Sequence, residues 1–143
     1  MRRVEESIVI KRPAEKVFAY AADLKGMLKL HSNVSEVEQT SPGQMSVGTT
    51  FQWATRVMGR KMKTIAKITE YELNKMIGLD EETGSMVGHA TFFIESVEGG
   101  TKFTQRADMK LGGFFGVISP LSVLFIRKGI RAELNDLKNI LES

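Results

Sequence analysis

The side chains best suited to moving protons near neutral pH are scarce in this sequence. It contains two histidines, His31 and His89, and no cysteine. Histidine titrates close to neutral pH, so it can act as an acid or as a base. His31 is the last residue of a predicted short helix, where a histidine also serves as a cap or rim residue. His89 falls on the solvent-facing side of a predicted strand. No catalytic residue is therefore assigned, and His31 remains the one candidate.

The chain shows no motif for metal, nucleophile or phosphate chemistry. Without cysteine it has no disulfide framework, no thiolate nucleophile and no cysteine zinc site. Its carboxylates show no HExxH or similar spacing, and no Ser-His-Asp order or nucleophile elbow is present. The glycines at 112, 113 and 116 lack the strand that precedes a phosphate-binding loop. The sequence thus predicts neither a metal nor a cofactor.

Three polar residues fall on the inner faces of predicted strands. Thr55, Thr64 and Gln105 lie there among mainly apolar residues. Their hydroxyl and amide groups are able to hold the carbonyl or hydroxyl of a ligand. They are equally able to bond to each other or to buried water.

The elements that must position these residues are mainly strands. Residues 34–111 show a period of two, which is typical of half-buried strands. With an initial strand, the predicted strands span 4–11, 34–39, 49–58, 61–68, 75–82, 86–97 and 101–111. Short turns make sequential strands antiparallel neighbours. For the strand at 75–82, the inward pair stays open between Met76/Gly78 and Ile77/Leu79.

Two short helices, 14–24 and 27–31, are predicted after the first strand and are separated at Gly26. Val17, Phe18 and Ala21 form the apolar face of the first one. Helices this short need a neighbouring element to pack against.

A long helix ends the chain, since Ile130, Leu134, Leu137 and Leu141 have the spacing of one helical face. Polar and charged residues flank this stripe, Glu133 among them, as expected for a helix with one side in water.

The start of the long helix is predicted at Ser119, whose hydroxyl is suited to capping and is followed by Pro120. The run 111–126 carries no charge and must be covered on more than one side or face something other than water. It is too short and too interrupted by glycine and proline for a membrane span.

Composition places the chain among ordinary globular proteins. Hydrophobic residues make up 42% and charged residues 26%, which are globular values. A length of 143 residues is that of one ordinary domain, so one domain covering residues 1–143 is expected. The net charge of +3 is mild and the basic residues are dispersed, which argues against nucleic-acid binding. The N-terminus shows no apolar segment of signal-peptide length, and we expect a cytoplasmic protein.

Three short motifs carry a family resemblance that spans nearly the whole chain. They are Arg12-Pro13-Ala14 leading to Val17-Phe18, Val47-Gly48-Thr49-Thr50-Phe51, and Gly99-Gly100-Thr101 before the last strand. The sequence resembles the polyketide cyclase/dehydrase and START-type lipid-transfer superfamily (SRPBCC). The resemblance implies an α+β helix-grip fold: a curved antiparallel β-sheet of about seven strands wrapped around a long C-terminal helix, with two short helices after strand 1.

The same resemblance implies a hydrophobic cavity between the sheet and the long helix. Carried over by position, its mouth takes Met27, Leu30, His31, Phe114, Phe115, Leu121 and Phe125. The inner face of the predicted sheet mixes large and small residues, which either leaves room for a ligand or interdigitates into a solid core. The sheet residues expected to line a cavity are Phe51, Trp53, Thr55, Met62, Thr64, Ala66, Ala90, Phe92, Gln105, Ala107 and Met109.

Two functions follow from this interpretation. The first is binding or transport of a small hydrophobic molecule, such as a lipid, sterol, fatty acid or polyketide-like compound. The second is a polyketide cyclase, aromatase or dehydratase type of enzyme that uses the same cavity. A homodimer and a transient membrane contact near 111–126 stay open as further associations.

Overall fold

The computed structural model describes residues 2–28, 33–57, 59–84, 86–111 and 120–143, which form seven strands and three helices. The elements are β1 (Arg2–Ile10), α1 (Ala14–Ala22), α2 (Leu24–Leu28), β2 (Val34–Gln39), β3 (Thr50–Val57), β4 (Arg60–Glu72), β5 (Met76–Thr83), β6 (Met86–Val97), β7 (Gly100–Leu111) and α3 (Pro120–Glu142). This order of strands and helices confirms the predicted architecture.

All strands belong to one curved antiparallel sheet with the order β1-β7-β6-β5-β4-β3-β2. Only the β1–β7 pairing joins strands distant in sequence, and a close approach of backbone fixes it. Gly100 lies against the carbonyl of Ile10, where a Cβ would collide, and Thr101 donates its hydroxyl to the carbonyl oxygen of Arg12 at 2.6 Å. The Gly99-Gly100-Thr101 motif therefore joins the last hairpin to the end of the first strand.

The predicted apolar stripe of α3 is confirmed, because Ile130, Leu134 and Leu137 are buried against the sheet. The helix is anchored to β1 by charge. Arg127 and Arg131 both donate to Glu6 Oε1, at 2.7 and 3.1 Å, and these hydrogen bonds hold the pKa of Glu6 below its usual value. The middle of α3 is thus fixed to β1, at one edge of the sheet.

The boundary between the two short helices differs from the prediction. The break falls at Asp23, and Gly26 lies inside α2 rather than between the helices. Asp23 Oδ1 accepts the Gly26 N–H at 3.1 Å, so this side chain caps the start of α2. A Cβ on Gly26 would collide with that carboxylate, so this glycine makes room for the cap rather than ending a helix. The buried face of α1, Val17, Phe18 and Ala21, is confirmed.

The register of β5 resolves the inward pair that the sequence left open. Ile77 and Leu79 are both 1% exposed and belong to the core. An irregularity in β4 between Ile68 and Glu70 shifts its pairing with β5, and β4 continues to Glu72, beyond the predicted 61–68. Alternation from Leu79 then turns Glu81 inward, which the sequence analysis did not predict.

Within the described residues, no helix combines the length and the apolar character needed to cross a membrane.

Candidate functional site

A cavity of about 290 Å³ lies between the inner face of the sheet, α2 and α3. Its walls are mostly apolar, with Trp53 and Phe92 as the large side chains and Ala90 and Ala107 as the small ones. Ala90 and Ala107 lie opposite each other in the β6–β7 register, so two neighbouring positions leave space over the sheet. The other lining residues are Leu24, Met27, Leu28, Asn33, Val34, Thr55, Thr64, Leu79, Glu81, Thr83, Met86, Gln105, Ile126, Ile130 and Glu133.

The structure brings part of the predicted set together at this cavity. The predicted residues that line it are Met27, Trp53, Thr55, Thr64, Ala90, Phe92, Gln105 and Ala107. Phe51 and Ala66 lie instead in the packed core, at 5% and 1% exposure. Met62 lines a separate groove beside Glu36 and Glu38, and Met109 packs on the edge of the core. The alternation of the sequence predicted that these four residues lie on the inner face of the sheet. They do not line the cavity, because the cavity occupies only part of that face.

Several predicted mouth residues lie outside the described part of the chain. They are Leu30, His31, Phe114 and Phe115, together with the side chains of Leu121 and Phe125. The predicted helix start at Ser119 also lies outside it.

A chain of three threonine hydroxyls crosses one wall of the cavity. Thr64 Oγ1 lies 2.8 Å from Thr55 Oγ1 and 2.7 Å from Thr83 Oγ1. Thr64 is 2% exposed, and these two bonds satisfy its hydroxyl without water. Thr55 and Thr64 are therefore hydrogen-bonded to each other, which is one of the alternatives that the sequence left open. Thr83 adds a third hydroxyl to this row.

Two carboxyl side chains that the sequence analysis did not assign to the site reach the cavity. Glu81 comes from β5 and Glu133 from α3. Burial raises the pKa of Glu81 to about 7, the nearby charge of Glu133 adds to this, and His89 across the sheet acts in the opposite direction. Gln105 Nε2 donates to Glu133 Oε2 at 3.3 Å, so the predicted polar residue of β7 holds a carboxylate.

The sequence contains partial signals for both glutamates. Glu81 lies two residues after Leu79, so it faces inward as soon as Ile77 and Leu79 are chosen as the inner pair. Glu133 lies three residues after Ile130, at the edge of the apolar stripe. The prediction that Glu133 flanks the stripe on the side facing water is wrong, because its side chain lines the cavity beside Gln105.

His89 lies on the outer face of the sheet, away from the cavity, as the alternation predicts. Its Nδ1 is 2.7 Å from Asp80 Oδ1 and its Nε2 is 3.1 Å from Glu70 Oε1. Partial burial lowers the pKa of His89, but the two carboxylates outweigh it and the net pKa is raised. Both ring nitrogens are thus occupied by partners in the sheet.

We expect His89→Gln to weaken the fold more at pH 6 than at pH 8.5. A raised pKa in the folded state stabilises the protein below the unfolded pKa of about 6.5, and this contribution is lost as pH rises through the folded pKa. Because the side chain is 31% exposed, the difference should be only about 0.5 kcal/mol. Urea unfolding at both pH values measures it, with Lys102→Gln on the same face as the control. An equal loss at both values would contradict the ionic role of His89.

The sequence model of the family described as "Polyketide cyclase / dehydrase and lipid transport" matches residues 1–142. The chain belongs to this family. Among curated proteins, none matches the sequence. The family motifs are explained by the structure as scaffold elements, since Arg12 donates to the carbonyl of Leu141 at the end of α3 and Gly48 donates its N–H to the carbonyl oxygen of Ile68 at 2.8 Å.

Solved structures share the fold of this family member over almost their whole length. A START superfamily protein from Mycobacterium smegmatis is 12% identical, with a TM-score of 0.81 over 98% of this chain and 97% of that one. A protein from Thermus thermophilus is 18% identical, with a TM-score of 0.79 and the same coverage. The Zhui aromatase/cyclase from Streptomyces sp. R1128 is 16% identical, with a TM-score of 0.72 over 99% and 93% of the two chains. These similarities show the helix-grip fold.

Proposed function

We propose that this family member binds a small hydrophobic molecule in the cavity between its sheet and α3. The observation that carries the proposal is the 290 Å³ of space bounded by Trp53, Phe92, Ala90 and Ala107. Burial of apolar ligand surface against these walls contributes about 25 cal/mol per Å². The family description, which includes lipid transport, supports the same assignment.

The size of the cavity restricts the ligand. Ligand pockets commonly span roughly 300–1,000 Å³, so this one lies at the small end of the range. A two-ring aromatic compound or a short acyl chain fits this space better than a sterol or a long-chain lipid. The apolar walls and the short row of threonine hydroxyls favour a compact molecule with few polar groups.

Filling the cavity should abolish binding while preserving the fold. Ala107→Phe places a phenyl ring into the space opposite Ala90. We expect the affinity for 1-naphthylmethanol, a neutral two-ring probe, to fall at least about tenfold, because the ring occupies the volume of the probe. Isothermal titration calorimetry measures the affinity, and thermal unfolding shows whether the fold is retained.

Lys102→Phe is the matched control, since it adds the same ring to the exposed outer face of the same strand. It should bind the probe as the unmodified protein does. Native mass spectrometry of the freshly purified protein provides a second measurement, in which a retained small molecule is expected. Absence of both a retained molecule and any binding of the probe would overturn the proposal.

An enzymatic function of the cyclase or dehydratase type is the second candidate, and the pKa of Glu81 near 7 is the observation that favours it. A carboxyl group that titrates near neutral pH inside an apolar cavity is suited to general acid–base catalysis. If this function holds, a linear poly-β-ketone should be cyclised by the protein and about a hundredfold more slowly by Glu81→Gln. No turnover above buffer would exclude this substrate class.

The associations expected from the sequence beyond the ligand remain predictions. Of the run 111–126, Leu124 is 63% exposed and Ile126 lines the cavity, so Leu124 is the described residue that supports a transient membrane contact there. The homodimer and the cytoplasmic location stay expectations from the sequence.

A further inference from the structure

We propose that the row of three threonine hydroxyls, Thr55, Thr64 and Thr83, binds one uncharged oxygen of the ligand, either a carbonyl or a hydroxyl oxygen. The cavity then takes a hydrophobic molecule with a single neutral polar group in preference to a pure hydrocarbon of the same shape. This inference rests on the proposed function, because it concerns a ligand of the same cavity. It adds which group of that ligand the protein recognises, and where.

The first argument is the number of protons in the row. Three hydroxyl groups carry three protons, but the row contains only two hydrogen bonds, Thr55–Thr64 at 2.8 Å and Thr64–Thr83 at 2.7 Å. Thr64 is 2% exposed, and a buried hydroxyl is stable when its proton is donated, so Thr64 donates to one neighbour and accepts from the other. The end that accepts from Thr64 therefore keeps a proton to give, and the end that donates to Thr64 keeps its lone pairs.

The second argument is where the two ends of the row lie. Thr55 and Thr83 both line the cavity and are partly exposed, in contrast to Thr64. Among the described residues, neither of these two hydroxyls has a hydrogen-bond partner besides Thr64. The unused proton is therefore available to a molecule inside the cavity, either water or an oxygen of the ligand.

The third argument is that the row has no fixed direction. Either atom of each pair can be the donor, so rotation of the three hydroxyl protons reverses the row without moving a heavy atom. A carbonyl oxygen only accepts, and it selects the direction in which the end beside it holds the free proton. A ligand hydroxyl is able to donate or accept and fits both directions. A hydrocarbon does neither, so it displaces water from the row and leaves that proton without a partner.

The fold holds this row in place before a ligand arrives. β3, β4 and β5 are adjacent strands, and Thr64 lies directly opposite Trp53 on β3 and Thr83 on β5. The χ1 angle of threonine is restricted, and the bonds within the row restrict it further. Trp53 borders the same cavity, so a large apolar surface and the hydroxyl row are neighbours. Binding of a ligand thus requires little reorganisation of this wall.

Two probes of the same shape test the proposal: 1-acetonaphthone, and 1-isopropenylnaphthalene, in which a CH2 group replaces the carbonyl oxygen. Isothermal titration calorimetry gives the ratio of their affinities, ketone over alkene, for each protein. We expect valine at the end of the row that contacts the ketone, Thr55→Val or Thr83→Val, to lower this ratio about tenfold. Valine at the other end should lower it less than about threefold. Comparing ratios between proteins removes the difference in hydration of the two probes.

Thr50→Val is the matched control. It removes a hydroxyl from another threonine pair, Thr40–Thr50 at 2.7 Å, on the outer face of β3, so the ratio should not change. Valine has nearly the shape of threonine, and thermal unfolding shows whether each variant is folded. A second measurement needs no variant: the infrared carbonyl stretch of 1-acetonaphthone should lie at lower frequency when the ketone is bound than when it is dissolved in hexane, because its oxygen accepts a hydrogen bond.

The outcomes separate this inference from the proposed function. An unchanged ratio in both Thr55→Val and Thr83→Val would overturn the inference. A tenfold fall in both would also overturn it, because a row with one free proton serves the ligand at one end only. A carbonyl stretch equal to that in hexane would have the same meaning. In these cases the probes still bind and the proposed function stands. Failure of both probes and of 1-naphthylmethanol to bind would overturn the proposed function together with this inference.

Discussion

Leu137→Ala is expected to destabilise the protein by about 3 kcal/mol, within the usual range for removing a buried leucine. Leu137 is 2% exposed and belongs to the packed core beneath α3. The surrounding side chains, including Phe103 and Leu134, are themselves fully buried and cannot collapse into the space. The truncation therefore loses both the transfer free energy of the side chain and the contacts around the new void.

Ile126→Ala, three turns earlier on the same helix, should cost only about 1 kcal/mol. Ile126 is partly exposed and lines the existing cavity, so its removal enlarges a space that is already unfilled. Urea unfolding of both variants measures the difference. Equal losses would mean that α3 packs with the same density along its length, and they would count against the hollow on which the proposed function depends.

The contrast between these two positions reflects how the packing of α3 on the sheet differs along the helix. The C-terminal part of α3 is fixed to β1 and its end by polar contacts, including the donation from Lys138 to the carbonyl oxygen of Val9 at 2.9 Å. Toward the N-terminal part of the helix, Ala90 and Ala107 on the sheet provide too little volume to meet it. The C-terminal part of α3 therefore buries Leu134 and Leu137 in the core, whereas Ile126 borders the cavity.

Much of the fold could be predicted from periodicity alone. The stripe containing Ile130, Leu134 and Leu137 is strict, because a helix with one wet side permits apolar residues only at that spacing. The strand at 86–97 was predicted with the bounds that β6 has in the structure. Alternation also gave the correct faces of β4 and β7, since an antiparallel sheet with one wet side repeats every two residues.

The cavity could be predicted only in part, because its polar residues break the rules that periodicity uses. Glu81 faces inward although a carboxyl is expected outside, and the start of its strand offered two inward pairs, Met76/Gly78 and Ile77/Leu79, so its inner face was not fixed. Glu133 looked like a solvated residue at the edge of an apolar stripe. Only the three-dimensional arrangement of β5, β7 and α3 shows that both carboxyls meet the same space.

Replacing Glu81 with glutamine should make the protein more stable at pH 8 and leave its stability at pH 4 nearly unchanged. The folded-state pKa of Glu81 is about 7 and its unfolded value is 4.5. Below 4.5 both states are protonated, so the group imposes no penalty. As pH rises from 4.5 to 7 the unfolded state ionises first, and the stability falls until the folded state also ionises.

A shift of this size corresponds to roughly 3 kcal/mol in full. Because the carboxyl borders a cavity that water can enter, we expect about 2 kcal/mol in favour of Glu81→Gln at pH 8. Urea unfolding at pH 4 and pH 8 measures it, with Glu82→Gln as the control that should match the unmodified protein at both values.

Glu133→Gln provides an independent check on the cause of the shift. Removing the neighbouring charge should lower the pKa of Glu81, so the fall in stability should end at lower pH and be smaller. A stability that rises toward pH 8 in the unmodified protein, in parallel with that of Glu81→Gln, would show that Glu81 ionises freely in the folded state. The cavity would then be a solvated cleft rather than an apolar space.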